Sequence, residues 1–463
     1  MNTLENPQIK PTEKEELITL LKEVTEAKQI EEYDIKFGVG MSQDKDPTNA
    51  GREASEKAIE QLNGKPVKFM LIFSTSHYDN KNSRNKLIST CREWIAEDTP
   101  SIGGTVTGFI CPEGFAVRGV VVLAASGNFD VSSGMFNKIR SKPDVAGKVV
   151  GKKISSGLSR SNKANKIIFN FISGPKESEI WTTYLVKNLI SKVPYPVFLK
   201  LRDVLCSLAA NYMQQGVGFE DIILESMENE IQDYYMFGSG TFDDMKARKN
   251  SVFYNNNSFP SALASLGISL DNRVIRKRYF PLIHSGKEFR IKRGWKNYWI
   301  DEINGKPAVM GYSELLGYPR YFMGEHTERF TYTLFQLPFG YEFNGYEYAF
   351  PTGFFMGKSI LTNLQIKSDT VELLYTSTAL FLKTMKDYFK SLDDGKDYFT
   401  FCSAVGVLVG SFGSKIRIIK EVLDEGTKGR PYLLIFNSAD FFKTPETRTI
   451  VSDYALSFLS IED

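Results

Sequence analysis

The stretch Ser101–Gly119, SIGGTVTGFICPEGFAVRG, decides how the fold is interpreted. It resembles a β-strand, yet it places glycines at Gly103, Gly104 and Gly108. Glycine inside a strand weakens it, and its presence usually means a bulge or the close approach of another group. The stretch therefore predicts strands whose bare backbone lies against something other than their own side chains.

Strand-like and helical patterns alternate on both sides of this stretch. The strand-like segments include YDIKFGVGMS, VKFMLIFSTS and ANKIIFNFISG, and the helical ones include NAGREASEKAIEQL, KLISTCREWIAE and ALFLKTMKDYF. The pair Asn304-Gly305 between two extended runs predicts a hairpin. These patterns predict an α+β fold, with mixed β-sheets flanked by helices in two related layered α/β domains that a duplication would explain.

Three apolar strands run into small or polar residues in the same manner. The three segments are IGGTVTGF, MFGSGTFDD and IFNSADFF. We interpret them as a degenerate internal repeat. The alternative is that turns at strand ends favour these residue types in any protein.

We expect three regions along the chain. Residues 1–33 are predicted to be an N-terminal helical extension, because apolar side chains recur there at helical spacing. Residues 34–285 and 286–463 are predicted to be the two α/β domains. The apolar positions of the extension are Leu17, Leu20, Leu21 and Val24.

Composition narrows the function classes. The chain has 463 residues and a net charge of +2, which argues against a nucleic-acid partner or a membrane surface. The basic stretch 271–300 is a local exception that would suit an anionic partner, or would simply be the solvated side of strands. The four cysteines show no CxxC spacing, and neither a signal peptide nor an apolar run of bilayer length is recognisable. We expect a reduced, cytoplasmic protein.

Motifs for cofactors, metals and catalysis are weak. PTGFFMGKSI has three residues between its glycines, whereas a phosphate-binding loop needs four. The histidines are scattered and the Asp243-Asp244 pair lacks other oxygen ligands, so we expect neither a metal nor a cofactor. Cysteine catalysis, through Cys402 or Cys111 with His284, is the third-ranked interpretation because ordinary buried cysteine explains the pattern as well.

An ordered series of segments resembles the FIST-domain family, in the order FIST_N then FIST_C. The segments are VKFMLIFSTSHYD, SIGGTVTGFI, RGVVVLAAS, MFGSGTFDD, RYFPLIHSGKEFRIKR and IDEINGKPAVMGYSELLG. By this resemblance, residues 34–285 are FIST_N-like and residues 286–463 are FIST_C-like. The resemblance implies a stand-alone sensory module that binds a small ligand, with an amino acid or related metabolite as the candidate and a signalling protein as partner.

Two other functions stay open at this stage. In a eukaryotic branch, the family accompanies an F-box, which implies a protein-interaction adaptor without a small ligand. Such an adaptor would use the basic stretch 271–300 and the aromatic residues Tyr321, Phe322, Tyr341 and Phe343. The third interpretation is the cysteine-dependent enzyme.

This chain departs from the family pattern at three places. Phe109 follows Gly108 where glutamate is common, Ala439-Asp440 replaces a Gly-Glu pair, and Val405 stands where an arginine is usual. If those charged groups contact the ligand in other members, this chain binds something less polar, binds differently or has lost binding.

The candidate ligand site combines three polar walls whose uncovered amides and hydroxyls would orient a ligand. The first wall is Gly103, Gly104, Thr105, Thr107 and Gly108, the second is Gly238, Ser239, Gly240, Asp243 and Asp244, and the third is Asn437, Ser438 and Asp440. Asp243 or Asp244 would accept a hydrogen bond from a ligand amine. His284 and Cys402 complete the set.

Overall fold

The structure is a computed structural model that describes residues 35–462, apart from 79, 178–192, 245, 318–335, 353, 393–397 and 406–415. The predicted helical extension over residues 1–33 lies outside these residues. The α-helices are, in chain order, α1 (Pro47–Glu60), α2 (Lys81–Cys91), α3 (Pro143–Gly157), α4 (Tyr195–Leu208), α5 (Glu220–Met227), α6 (Ala308–Leu315), α7 (Thr378–Lys390) and α8 (Ile416–Thr427).

The strands of the first half of the chain are β1 (Lys36–Ser42), β2 (Phe69–Ser74), β3 (Ser101–Thr105), β4 (Gly108–Cys111), β5 (Gly114–Ala116), β6 (Val120–Ser126), β7 (Asp130–Asn137), β8 (Asn165–Ser173), β9 (Tyr234–Thr241), β10 (Val252–Tyr254), β11 (Asn257–Phe259), β12 (Ala262–Leu270) and β13 (Arg273–Tyr279). Those that follow are β14 (Leu282–Gly294), β15 (Trp299–Ile303), β16 (Lys306–Pro307), β17 (Phe339–Phe343), β18 (Tyr346–Phe350), β19 (Phe354–Met356), β20 (Ser359–Leu361), β21 (Thr370–Thr376), β22 (Tyr398–Val405), β23 (Tyr432–Asn437), β24 (Asp440–Lys443), β25 (Ile450–Ser452) and β26 (Leu456–Glu462).

Three six-stranded sheets share one topology. Their strand orders are β1-β6-β2-β3-β10-β11 in sheet 1, β7-β12-β8-β9-β24-β25 in sheet 2 and β13-β26-β22-β23-β4-β5 in sheet 3. In each sheet the third and fourth strands are parallel and every other neighbouring pair is antiparallel. The α+β class with mixed sheets is confirmed. The repetition is threefold and thus extends beyond the duplication that the sequence suggests.

Each of three repeats along the chain contributes the first four strands of one sheet. Repeat 1 comprises β1–β6, repeat 2 comprises β7–β12 and repeat 3 comprises β13–β26. The last two strands of each sheet come from a different repeat. The hairpin β4–β5 leaves repeat 1 and pairs with sheet 3, β24–β25 leaves repeat 3 for sheet 2, and β10–β11 leaves repeat 2 for sheet 1. Each repeat therefore donates one hairpin and receives another, in a closed cycle. The stretch Ser101–Gly119 contains such a crossing, because β3 belongs to sheet 1 and β4 to sheet 3.

Helices cover the outer face of each sheet, and aromatic rings fill the space between the sheets. Helix α1 starts at the N-cap Asp46, whose side chain accepts hydrogen bonds from the amides of Thr48 and Asn49. The central core joins inward-facing residues of all three sheets. Within it the ring centroids of Phe73 and Phe171 lie 5.0 Å apart in an edge-to-face arrangement.

A fourth sheet is inserted into repeat 3 between β13 and α7. Its main strand order is β18-β17-β21-β14-β15-β20-β19, and β16 pairs with β15 at the predicted turn Asn304-Gly305. Sheets 2 and 3 combine strands from both sides of residue 285, and the domain division at that residue stays a prediction. Within the described ranges, no helix is long and apolar enough to cross a bilayer.

Candidate functional site

The three predicted walls lie together where the strands of the three repeats end. We call this region the junction, and it consists of residues 104–108, 239–243 and 436–440. Backbone hydrogen bonds connect all three segments, and they run from Thr107 N to Phe436 O (2.9 Å), from Phe242 N to Thr105 O (3.0 Å), from Ser438 N to Gly240 O (3.1 Å) and from Gly240 N to Ala439 O (3.1 Å). Residues far apart in sequence are thus adjacent because the hairpins change sheets here.

The threefold repeat assigns equivalent positions within the junction. In each sheet, one residue of the fourth strand pairs with the first residue of the hairpin that comes from another repeat. This residue is Gly104 in sheet 1, Ser239 in sheet 2 and Phe436 in sheet 3. Two residues further along the chain, the equivalent residues are Val106, Thr241 and Ser438. All three are buried, and the hydroxyls of the last two have no hydrogen-bond partner in the part of the chain that the structure describes.

Two of the glycines make room for the hydroxyl residue of another repeat. A Cβ at Gly240 would overlap the Oγ of Ser438 and would lie 2.8 Å from Oε1 of Glu220. A Cβ at Gly104 would overlap the methyl group of Thr241. At Gly240 only side-chain atoms come within 3 Å of the added carbon, whereas at Gly104 the backbone oxygen of Ser251 also lies 2.8 Å from it.

Three other predicted glycines have a packing explanation. A Cβ at Gly103 would overlap the carbonyl oxygen of Ile72 on β2, and one at Gly238 would overlap that of Asn170 on β8. A Cβ at Gly108 would lie 2.9 Å from a backbone oxygen of the hairpin β4–β5. Close approach of neighbouring strands accounts for these residues without a ligand.

Glu220, the first residue of α5, adds an unpredicted acidic group to the junction. Its side chain is fully buried, and neither carboxyl oxygen accepts a hydrogen bond from another residue in the part of the chain that the structure describes. Burial raises the pKa of Glu220 to about 8. The backbone amide of Glu220 itself and the charge of Arg140 oppose the rise, while the nearby charges of Asp221 and Asp453 add to it. Burial therefore favours the neutral form of the Glu220 carboxyl near pH 7.

Sequence reasoning missed Glu220 because its context is ordinary. In GFEDIILES two acidic residues open an apolar helix, which is the usual pattern of a first helical turn. Glu220 is identified as a site residue only by its position beside Gly240 and Ser438, which are 20 and 218 positions away in the chain. No local signal carries that information.

Arg140 fixes the backbone beside Glu220. Its guanidinium is fully buried and donates to the carbonyl of Val217 at 3.0 Å, to the Oγ of Ser261 at 3.0 Å and to the carbonyl of Gly174. Burial lowers the pKa of Arg140 to about 10. Because its donors are used in this way, Arg140 positions the loop and leaves Glu220 without an ion pair.

The predicted acidic pair has other contacts. The carboxylate of Asp243 is buried and accepts hydrogen bonds from the backbone amides of residues 246–249, at 2.6 to 2.9 Å. Asp244 lies at the surface and pairs with Lys246 at 2.8 Å. Asp243 thus organises the chain between β9 and β10. Glu220, in contrast, accepts no hydrogen bond from another described residue.

The remaining hydroxyl and amide groups of the walls are largely engaged. Thr105 Oγ1 accepts from Ser251 N at 2.9 Å, and Thr107 Oγ1 donates to the carbonyl of Asp243 at 3.0 Å. The side-chain amide of Asn437 donates to Ser239 Oγ. These contacts connect the three repeats to one another.

Asp440 is a buried carboxyl at the start of the hairpin β24–β25. Its Oδ2 accepts from Ser457 Oγ at 2.7 Å, whereas Oδ1 has no hydrogen bond and lies 3.9 Å from an Arg276 nitrogen. Burial raises the pKa of Asp440, and the positive charge of Arg276 opposes the rise.

His284 and Cys402 lie in other environments. His284 is on β14 with an exposed ring that contacts Glu372 at 2.8 Å and Glu347 at 3.3 Å, and the hydrogen bond to Glu372 is the main cause of its raised pKa. Cys402 is buried between sheet 3 and its helices, where burial raises the pKa of the thiol well above its usual value. A thiol held in this way is a poor nucleophile.

The residues that depart from the family pattern are placed as follows. Phe109 is fully buried in the central core between the sheets, and Ala439 is buried against the outer helices of sheet 2. Val405 is the last residue of β22. Phe109 therefore serves packing in this chain rather than contact with a ligand.

Ion pairs neutralise part of the positive charge of the basic stretch 271–300, which was suggested as the surface of an adaptor. Arg276 is buried, and Arg273, Lys292 and Arg293 form ion pairs with Glu462, Glu302 and Asp369. Tyr341 is half-buried and stacks on Tyr348, while Phe343 is partly exposed. Tyr321 and Phe322 lie outside the described residues.

The fold and the junction define an α+β protein made of three interlocked repeats in a single chain. Residues 68–306 match the FIST N domain family, and because this match covers more than half of the chain, the protein belongs to that family. The FIST_C-like half predicted over 286–463 lies mostly beyond the match and stays a prediction. No curated protein matches the chain significantly. Among the residues described, no three acidic, histidine or cysteine side chains are grouped as a metal would need.

Proposed function

We propose that the protein is a cytoplasmic sensor that binds a small molecule at the junction, acts in intracellular signal transduction and passes the signal to a protein partner. The ligand class is an amino acid or related metabolite. The observation that carries the proposal is the pair formed by Ser438 Oγ and the Glu220 carboxyl, which are buried beside Gly240 and lack partners. Membership of the FIST family, for which a sensory role has been suggested, supports the same function.

The physical reason is the cost of leaving such groups unpaired. A buried polar group without a hydrogen bond costs about 1–3 kcal/mol, and more when it is charged. A ligand that pairs with these groups recovers that cost on binding. Two or three hydrogen bonds to charged groups contribute about 1.5–3 kcal/mol each, which is enough for roughly micromolar affinity.

A melting-temperature screen against amino acids and related metabolites tests the proposal. We expect at least one compound to raise the melting temperature of the natural chain, and Gly240→Ala to abolish that rise because the added methyl group occupies the space between Ser438 and Glu220. Gly114→Ala on β5 is the matched control, because a Cβ there meets only the Met41 sulfur, at 3.6 Å.

A screen with no shift in the natural chain, or a shift that Gly240→Ala leaves intact, contradicts binding at the junction. Affinity capture from the native lysate then decides for the adaptor, if a stoichiometric protein partner survives dialysis.

A further inference from the structure

The side chain of Glu220 and the hydroxyl of Ser438 face the same small region. Both lie against Gly240 on β9, although one comes from α5 and the other from the segment between β23 and β24. Glu220 is fully buried and Ser438 is 4% exposed, so solvent does not satisfy their oxygen atoms. Within the described ranges, no other residue donates a hydrogen bond to the carboxyl oxygens of Glu220.

The charged and titratable groups around Glu220 favour a positive ligand group. Asp221 lies on the same helix and accepts hydrogen bonds from Tyr298 Oη and from the Gln365 amide. Asp453, between β25 and β26, accepts from the side-chain amide of Asn363 at 3.1 Å. Arg140 is the cation on the remaining side, and backbone carbonyls and Ser261 occupy its donors. Burial raises the pKa of both Asp221 and Asp453, and the donors of Arg140 are used, so a cation that pairs directly with the Glu220 carboxylate would come from a ligand.

We propose that Glu220 accepts a protonated amine, or a similar organic cation, and that this binding releases a proton from the site. The proposal rests on the proposed function, because it assigns the chemistry of that same site. No covalent step is involved: the acid loses its proton to solvent, and the carboxylate then pairs with the cation and with the Ser438 hydroxyl. An organic cation suits the site better than a metal, since the described residues provide no group of three ligating side chains there.

Proton release makes the affinity depend on pH. Burial raises the pKa of Glu220 to about 8, so the carboxylate is a minor form at neutral pH. Binding that requires the carboxylate is weakened below this pKa and reaches its full strength above it. Between about pH 6 and about pH 9, the affinity for an amine that stays protonated should rise by roughly 90-fold.

Isothermal titration calorimetry with ethylammonium and ethanolamine as probes tests the proposal. We expect the affinity of the natural chain to rise with pH as above, and titrations in buffers of different ionisation enthalpy to show release of about one proton per bound amine near pH 6. Glu220→Gln should lose amine binding or its pH dependence. Glu225→Gln is the matched control on the same helix, because Glu225 is partly exposed and pairs with Lys367.

Other outcomes separate this inference from the proposed function. Amine binding without proton release in the natural chain, or unchanged in Glu220→Gln, overturns the role of Glu220. If amines fail and a neutral or anionic metabolite raises the melting temperature in a manner that Gly240→Ala abolishes, the inference falls and the proposed function stands. If nothing in either set binds, both fall. The number of protons that the natural chain releases per bound amine tests the proposal even if Glu220→Gln does not fold.

Discussion

At the scale of single residues, the buried carboxyl of Glu220 lowers the stability of the folded chain at neutral pH. Its pKa is about 8 in the folded chain, against an ordinary value of 4.5. The folded state thus binds more protons than the unfolded state between these values, so folding stability falls as pH rises from about 4.5 to about 8. Buried acids with a strongly perturbed pKa are concentrated at functional sites.

Replacing Glu220 by Gln removes this titration. We expect Glu220→Gln to be more stable than the natural chain, with a gain that grows from about pH 4.5 to about pH 8 and then stays constant at a few kcal/mol. Urea unfolding across that pH range measures the difference. Stability curves that run parallel for the two proteins would contradict the buried, unpaired acid.

Replacing either of two glycines on β9 by alanine should destabilise the protein, but to a different extent. Gly238→Ala should destabilise the protein by about 2–3 kcal/mol, because the added methyl group meets the backbone oxygen of Asn170. Gly240→Ala should cost less, about 1 kcal/mol, because the added methyl group meets only the ends of the Ser438 and Glu220 side chains within 3 Å. Denaturant midpoints compare the two variants, and an equal loss in both would refute the distinction between packing and site glycines.

At the scale of elements, one buried arginine ties strands of two sheets together. Arg276 on β13 donates to the carbonyls of Met236 on β9, Phe441 on β24 and Phe458 on β26, at 2.7 to 3.1 Å. Its guanidinium also lies over the rings of Phe237 and Phe442. The basic stretch 271–300 therefore includes a structural cation that holds the exchanged hairpin β24–β25 in place.

Removing this cation should loosen the hairpin exchange. We expect Arg276→Met to lower the free energy of unfolding by about 3 kcal/mol or more, because three buried carbonyls lose a charged donor. Lys277→Met is the control, since Lys277 is exposed and its ammonium donates a hydrogen bond to Ser391 Oγ at 3.2 Å. Equal stability of the two variants in urea unfolding would disprove the anchoring role of Arg276.

Local elements could be predicted from the sequence, whereas their assembly could not. The apolar run of β2, the helix α1 and the turn Asn304-Gly305 follow from patterns within a few residues. The pairing of Phe436 with Gly108 joins residues more than 300 positions apart, and no short-range pattern encodes it. Small and polar residues at strand ends are the signal from which the three walls were predicted, and their role as a ligand site stays a prediction.

Prediction of individual site residues was limited for a related reason. Asp243 and Glu220 are both buried acids, and only the structure distinguishes the one satisfied by four backbone amides from the one without partners. The sequence displays residue type, while the role depends on which donors the neighbouring repeat provides.

At the scale of the whole molecule, three repeats exchange hairpins in a closed cycle and meet at one junction. Because each sheet is completed by a strand pair from another repeat, no repeat has a complete sheet of its own. A ligand held between Ser438 and Glu220 touches repeats 3 and 2 together, so its binding free energy should stabilise the interlocked assembly as a unit.

Native mass spectrometry of the chain, after incubation with a metabolite extract and gentle desalting, tests the central claim most directly. We predict that the natural chain and Gly114→Ala retain the same small mass, and that Gly240→Ala and Glu220→Gln do not. Retention of that mass by Gly240→Ala, or a natural chain that carries no ligand at all, would contradict a ligand site between Ser438 and Glu220.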